Sequence, residues 1–196
     1  MAGNVRSLTG WIDCDRNKLA GLNPHERVLY FRKRLHLVLL KTLENLFASI
    51  GDKHSPMLIF GTTICCSIEA LGKFYNGGVG QNHQRFYAFV DKYLHGDFSA
   101  KSAGSVKYKE ALWKHYRNGL AHGFAVCHGG FEGIAGYFEV RTICGHASLM
   151  INPEYLYRDF RSGVAKYLHD LRIAASADQI RLNFNQVFTD VFINGN

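Results

Sequence analysis

The sequence predicts a mainly helical bundle of about five to six helices with one small antiparallel β insert after the fourth helix. Three observations carry this. Apolar residues recur at three- and four-residue steps through most of the chain. Each of the three prolines follows a residue able to cap a helix, as Asn23-Pro24, Ser55-Pro56 and Asn152-Pro153. Between Gly123 and Ile151 the period changes to alternation among β-branched and aromatic residues broken by glycine.

The first helix is expected from Pro24 to Ile50, with Val28, Phe31, Leu35, Leu39, Leu43 and Phe47 on one side and Gly51 as stop. The second, Pro56 to about Tyr75, is apolar almost all round and suits a central, surrounded position. A third runs from about Gln81 to Leu94, followed by a loop from His95 to Ser105. The fourth, Val106 to Ala121, sets Tyr108, Leu112, Tyr116 and Leu120 at four-residue steps as one core-facing ridge. In the insert, Phe138, Val140, Thr142 and Cys144 alternate with Glu139, Arg141 and Ile143 as in an antiparallel hairpin, with Gly129-Gly130 as a turn. A helix from Pro153 to about Ala174 follows, and a Ser176-x-x-Gln179 capping box opens the last one.

A chain of 196 residues fits one domain, 1–196, with a helical core at about 24–122 and 153–193 and the insert at about 123–151. Such a domain buries roughly 70% of its unfolded surface and needs no disulfide or metal staple. By this reading no apolar run approaches the roughly 20 residues of a membrane span, and the first fifteen residues lack the pattern of a signal peptide, so a cytoplasmic protein is expected. The five cysteines include no C-x-x-C pair, which argues for reduced thiols. Lys and Arg number 23 against 16 Asp and Glu, a net charge of +7 that favours polyanionic partners such as RNA.

The fourth helix ends in Trp113-Lys114-His115-Tyr116-Arg117-Asn118-Gly119-Leu120-Ala121-His122-Gly123. Arg offers a fixed fork of donors to phosphate oxygens, and His titrates near neutral pH and can take or give a proton. Five residues apart on an ideal helix, Arg117 and His122 stand about 140° and roughly 7.5 Å apart along the axis, so they are not expected to touch each other, although a phosphate could lie between them. A two-fold partner could bring two such pairs together.

Arg117-Asn118-x-x-x-His122 resembles the R-x(4-6)-H signature of the HEPN superfamily, in which a polar residue commonly follows the Arg near the end of a bundle helix. The resemblance extends over about residues 24–175: an apolar helix carrying Glu69, an aromatic-rich helix from Phe86 to Leu94, the motif helix and a long closing helix. It implies a metal-independent endoribonuclease that needs no cofactor and acts as a homodimer. His122 would be the general base toward the ribose 2′-hydroxyl, Arg117 would stabilise the phosphorane, and Asn118 would orient the His or the phosphate. The products would be a 2′,3′-cyclic phosphate and a 5′-hydroxyl. The same resemblance admits a non-catalytic module that binds nucleotide or RNA, or that dimerises with a nucleotidyltransferase or antitoxin in a defence system. Some HEPN toxins carry a Tyr two residues after the motif His, which the antitoxin modifies; Phe124 stands there, so that form of silencing is not expected.

Supporting residues have competing readings. Glu69 on so apolar a helix needs a cation, either Arg117 in a buried pair or Lys73 in a surface i,i+4 pair. Trp113 packs in the core or holds Arg117 by a cation–π contact, with plain packing the simpler expectation. Lys114 and His115 are expected to be solvated, with RNA contact as the alternative. Arg117 and His122 could instead serve the helix C-terminus as cations. Cys127, His128, Cys144 and His146 with His122 match no compact zinc spacing, so no metal is expected. Arg32, Lys33, Arg34, Arg158, Arg161 and Lys166 read as wet helix faces, a subset of which could line an RNA cleft.

Overall fold

The computed structural model describes residues 15–50, 54–96, 98, 102–103, 106–123, 126 and 129–195, with backbone alone at 50, 54–56, 102, 103, 106 and 121–123. Helix α1 is Arg16–Ala20, and α2 is Pro24–Arg34. A π turn, Leu35–Leu40, joins α2 to α3, Lys41–Ile50. The Asn23 cap is complete: its side chain accepts from the amides of His25 and Glu26, while the Glu26 carboxylate accepts from the Asn23 amide. Helix α4, His54–Asn76, begins two residues before the expected Pro56, and α5 is Asn82–Tyr93.

The expected loop before the fourth helix contains a short antiparallel ribbon, β1 (Ser102–Ala103) with β2 (Val106–Lys107). The fourth helix therefore starts at Tyr108. It comprises α6 (Tyr108–Ala111), a π turn (Leu112–Arg117) and α7 (Asn118–Gly123). Tyr108, Leu112, Tyr116 and Leu120 are all buried, as their spacing requires. Four residues overshoot one turn of an α-helix and undershoot one turn of a π segment, so the π turn cancels the drift and keeps the ridge on one face.

The insert holds β3 (Gly129–Phe131), β4 (Phe138–Ile143) and β5 (His146–Ile151) in the order β3-β5-β4. The antiparallel hairpin is β4–β5, Phe138 opposite Ile151, turning at Cys144 and Gly145, both with positive φ. Two expectations need correction. Cys144 belongs to the turn, not to the alternating strand. Gly129-Gly130 is no turn but the start of β3, which runs parallel to β5 with Gly130 beside Met150, so the sheet is mixed. The physical reason is close approach: a Cβ at Gly129 would collide with the Leu149 carbonyl and the Tyr116 hydroxyl.

Helix α8 is Pro153–Ile173, capped by Asn152, whose side chain accepts from the Glu154 amide. Helix α9 is Gln179–Phe188 and passes into a third π turn, Thr189–Asn194. The Ser176 capping box does not form: Asp178 is the cap residue, and its carboxylate accepts from the Ala175 amide at 2.8 Å.

Helix α4 is the centre, packing against α3, α5, α8, α9 and the motif helix. Its closest neighbour is α5, because Gly72 lets the Arg85 carbonyl lie where a side chain would be. By length and composition Met57–Asn76 is apolar enough to cross a membrane, contrary to the expectation that no run reaches that length. Half of it is buried, and Phe60, Ile64, Ile68, Leu71 and Phe74 serve the core. Aromatic groups knit the layers: Phe31, Phe74, Phe184 and Phe192 at one end, and Tyr75, Phe89, Tyr93 and Tyr167 beside them. Each fully buried large side chain contributes about 2 kcal/mol of hydrophobic stabilisation.

Candidate functional site

The motif helix is held at more than one place before any ligand is considered. On the sheet side, the Tyr116 hydroxyl accepts the Gly130 amide at 2.9 Å and points its proton at the carbonyls of Leu149 and Gly130, tying β3 and β5 to the helix. Burial pushes this phenol far above the usual tyrosine range. Beside it on the same helix, Arg117 meets Glu69 of α4 and Trp113 meets Phe86 of α5.

Arg117 lies at the end of the π turn, where the Asn118 amide bonds back to the Trp113 carbonyl. Its Nε donates to Glu69 Oε2 at 2.6 Å, and Nη2 reaches the same oxygen at 2.5 Å. Nη1 donates to Asn118 Oδ1 at 3.0 Å. The guanidinium lies 4.9 Å from the Trp113 ring centroid. Of the two partners left open for Glu69, the structure selects Arg117. The side chains of Arg117 and Glu69 are 16% and 17% exposed, so the pair is screened from bulk water yet reachable at an edge.

Trp113 does both things considered for it. One contact is the cation–π pair; the others are ring contacts with Phe86 at 5.2 Å, His83 at 6.3 Å and Tyr87 at 6.4 Å. The preference for plain packing was therefore incomplete. Lys109 lies between Asp91, at 2.7 Å, and the Tyr87 ring, at 5.2 Å. The aromatic surface of α5 thus continues the site, a feature that single-residue spacing did not signal. Lys114 is exposed and His115 half-buried.

Arg117 does not cap a helix C-terminus, since six helical residues follow it in α7. Asn118 Oδ1 accepts from the guanidinium and so helps to fix its orientation. The backbone of His122 continues α7; its side chain lies outside the described part of the structure, as do Phe124, Cys127 and His128. Cys144 and His146 are exposed at the β4–β5 turn, and among the described residues His, Cys, Asp and Glu do not gather in threes.

Next to Arg117 on α4, burial raises the thiols of Cys65 and Cys66 despite the guanidinium, so neither is a poised thiolate. What the cluster offers chemically is a prefixed planar cation with an aromatic face, suited to an anionic oxygen beside a ring. Comparison with family models, with curated proteins and with solved structures finds no match for this chain.

Proposed function

We propose that the chain is a metal-independent endoribonuclease of HEPN type, cytoplasmic and active as a homodimer. The observation that supports this reading is the fixed guanidinium of Arg117, gripped by Glu69 and Asn118 and stacked on Trp113. A donor fork that is already oriented loses little side-chain entropy when charge develops in front of it, which is the condition for electrostatic stabilisation of a phosphorane. The net charge of +7 adds attraction for a polyanion.

In the proposed reaction the imidazole of His122 takes the proton of a ribose 2′-hydroxyl. The 2′-oxygen attacks the adjacent phosphorus, the P–O5′ bond breaks, and the departing 5′-oxygen takes up a proton. The products are a 2′,3′-cyclic phosphate and a 5′-hydroxyl. Arg117 stabilises the charge on the non-bridging oxygens, and its removal costs ~10²-fold or more in rate. The 2′-hydroxyl requirement restricts cleavage to RNA.

A second reading rests on one observation as well. Glu69 already neutralises much of the Arg117 charge, which suits a structural pair in a non-catalytic module that binds RNA or nucleotide, or that dimerises with a nucleotidyltransferase or antitoxin. One experiment separates the two. Purified protein is incubated in EDTA with labelled RNA and with the same sequence bearing 2′-deoxyribose. The ribonuclease reading expects cyclic-phosphate ends from RNA alone and no product from His122→Ala, whose unfolding transition matches wild type. Absence of cleavage by folded wild type at every concentration, including those at which it dimerises, favours the binding module.

A further inference from the structure

A second feature lies away from the motif helix, between α2 with its π turn and α8. Two contiguous hollows of about 280 and 500 Å³ share Leu29, Arg32, Ala165 and Leu168. His25 is at the end where Arg172 and His169 line the wall, and His36 with Leu40 is at the end where Arg161 does. Rising numbers on one helix thus meet falling numbers on the other, so the hollows form one groove between antiparallel helices. From residue 25 to residue 40 it extends about 22 Å, roughly four helical turns.

Its floor is aliphatic, from Leu29, Leu40, Val164, Ala165 and Leu168. Leu29 is 46% exposed, and next to the groove Leu37 and Val38 are 47% and 42% exposed. No residue of the π turn Leu35–Leu40, five of whose six side chains are aliphatic, is buried. Along the walls run Arg32, Lys33, Arg161 and Arg172, and no lining residue is acidic. Glu44, which lies in the field of Arg161 and His36, is already paired with Lys41 at 2.9 Å.

We propose that this groove docks an acidic amphipathic helix of a partner protein, whose apolar stripe lies on the floor and whose carboxylates meet the cationic walls. Charge and shape select this occupant. A second copy of the chain related by a two-fold axis would set arginines against arginines. Nucleic acid held without sequence readout uses aromatic stacking platforms, and no lining residue is aromatic apart from three histidines at the rim. A single-headed amphiphile needs one cation at one end, whereas these are spread over the full length. A bilayer offers a flat face to a floor set between two helical ridges. A helix with apolar residues at i, i+4, i+7 and i+11 and glutamates on its flanks satisfies floor and walls together.

The test uses a fluorescein-labelled peptide of that pattern, roughly 18 residues long, and its scrambled isomer, read by anisotropy against the full-length protein. Wild type is expected to bind the patterned peptide saturably and at least about tenfold more tightly than the scrambled one. Arg32→Glu with Arg161→Glu should weaken it by a further tenfold or so, and Ala165→Trp, which fills the floor from an exposed position, should do the same without a change of charge. Circular dichroism checks that both variants remain folded. Equal affinity for the two peptides, or patterned binding untouched by either variant, overturns the proposal. So does a charge-reversed protein that keeps the peptide while losing phosphatidylglycerol vesicles, single-stranded RNA or self-association.

Discussion

Glu69 Oε2 accepts a hydrogen bond from Arg117 Nε at 2.6 Å and forms an ion pair with Nη2 of the same guanidinium at 2.5 Å. The carboxylate stands on a mostly apolar helix and sets a negative charge directly against the guanidinium. Glu69→Gln keeps the shape and one acceptor but removes the negative charge that Glu69 sets against the guanidinium. The expected loss is about 1–3 kcal/mol, less than for a wholly buried pair because each side chain keeps an exposed edge. Urea unfolding of Glu69→Gln, Arg117→Gln and the double variant measures this, and the double variant should lose clearly less than the sum of the singles. Additive losses would mean that the two side chains do not act as a pair.

Arg117→Lys tests geometry at constant charge. One ammonium cannot bond Glu69 and Asn118 together while presenting a plane to Trp113, so the positioning fails although the charge remains. Under the ribonuclease reading, cleavage falls by ~10²-fold or more with a change in stability of about 1 kcal/mol. The ratio of initial rates at saturating RNA is the readout. Wild-type rates from this variant would remove Arg117 from the reaction.

What the sequence disclosed follows a physical line. Asn23 and Asn152 cap helices through bonds that span two or three residues, and the Tyr108 to Leu120 ridge reflects a period, so both are legible locally. The Glu69–Arg117 pair was one of two options because periodicity places a side chain on a face without saying which neighbour lies opposite. The parallel pairing of β3 was hidden for a similar reason: Gly129 and Gly130 locally favour a turn, and only the Tyr116 hydroxyl and β5, far along the chain, make them a strand. The π turns, the Asp178 cap in place of Ser176, and the Trp113–Tyr87–His83 cluster likewise depend on neighbours brought in by the fold.

Tyr116→Phe removes one oxygen from a fully buried side chain. The Gly130 amide and the Leu149 carbonyl lose the hydroxyl that joins them to the motif helix. A loss of about 1–3 kcal/mol is expected. Hydrogen exchange should show the Gly130 amide opening far faster than the amides of α4. Unchanged exchange at Gly130 would mean that the strand is held by other contacts.

Asp159 supplies a pH signature. The His95 amide and the Tyr137 hydroxyl donate to its Oδ2 at 2.8 and 2.9 Å. Burial nevertheless raises its carboxyl above the ordinary 3.8, outweighing those two donors. The native state therefore binds this proton more tightly than the unfolded chain does. Between 3.8 and the raised native value, stability falls as pH rises; above that window the whole cost of the buried carboxylate is present, and below it none is. Asp159→Asn keeps an acceptor for both donors and removes the titration. The stability of wild type minus that of Asp159→Asn is thus expected to be greatest in acid and to shrink as pH climbs through the window, followed by urea unfolding at closely spaced pH values. A difference that stays flat, or grows with pH, would show that hydrogen bonding and not burial governs this carboxyl.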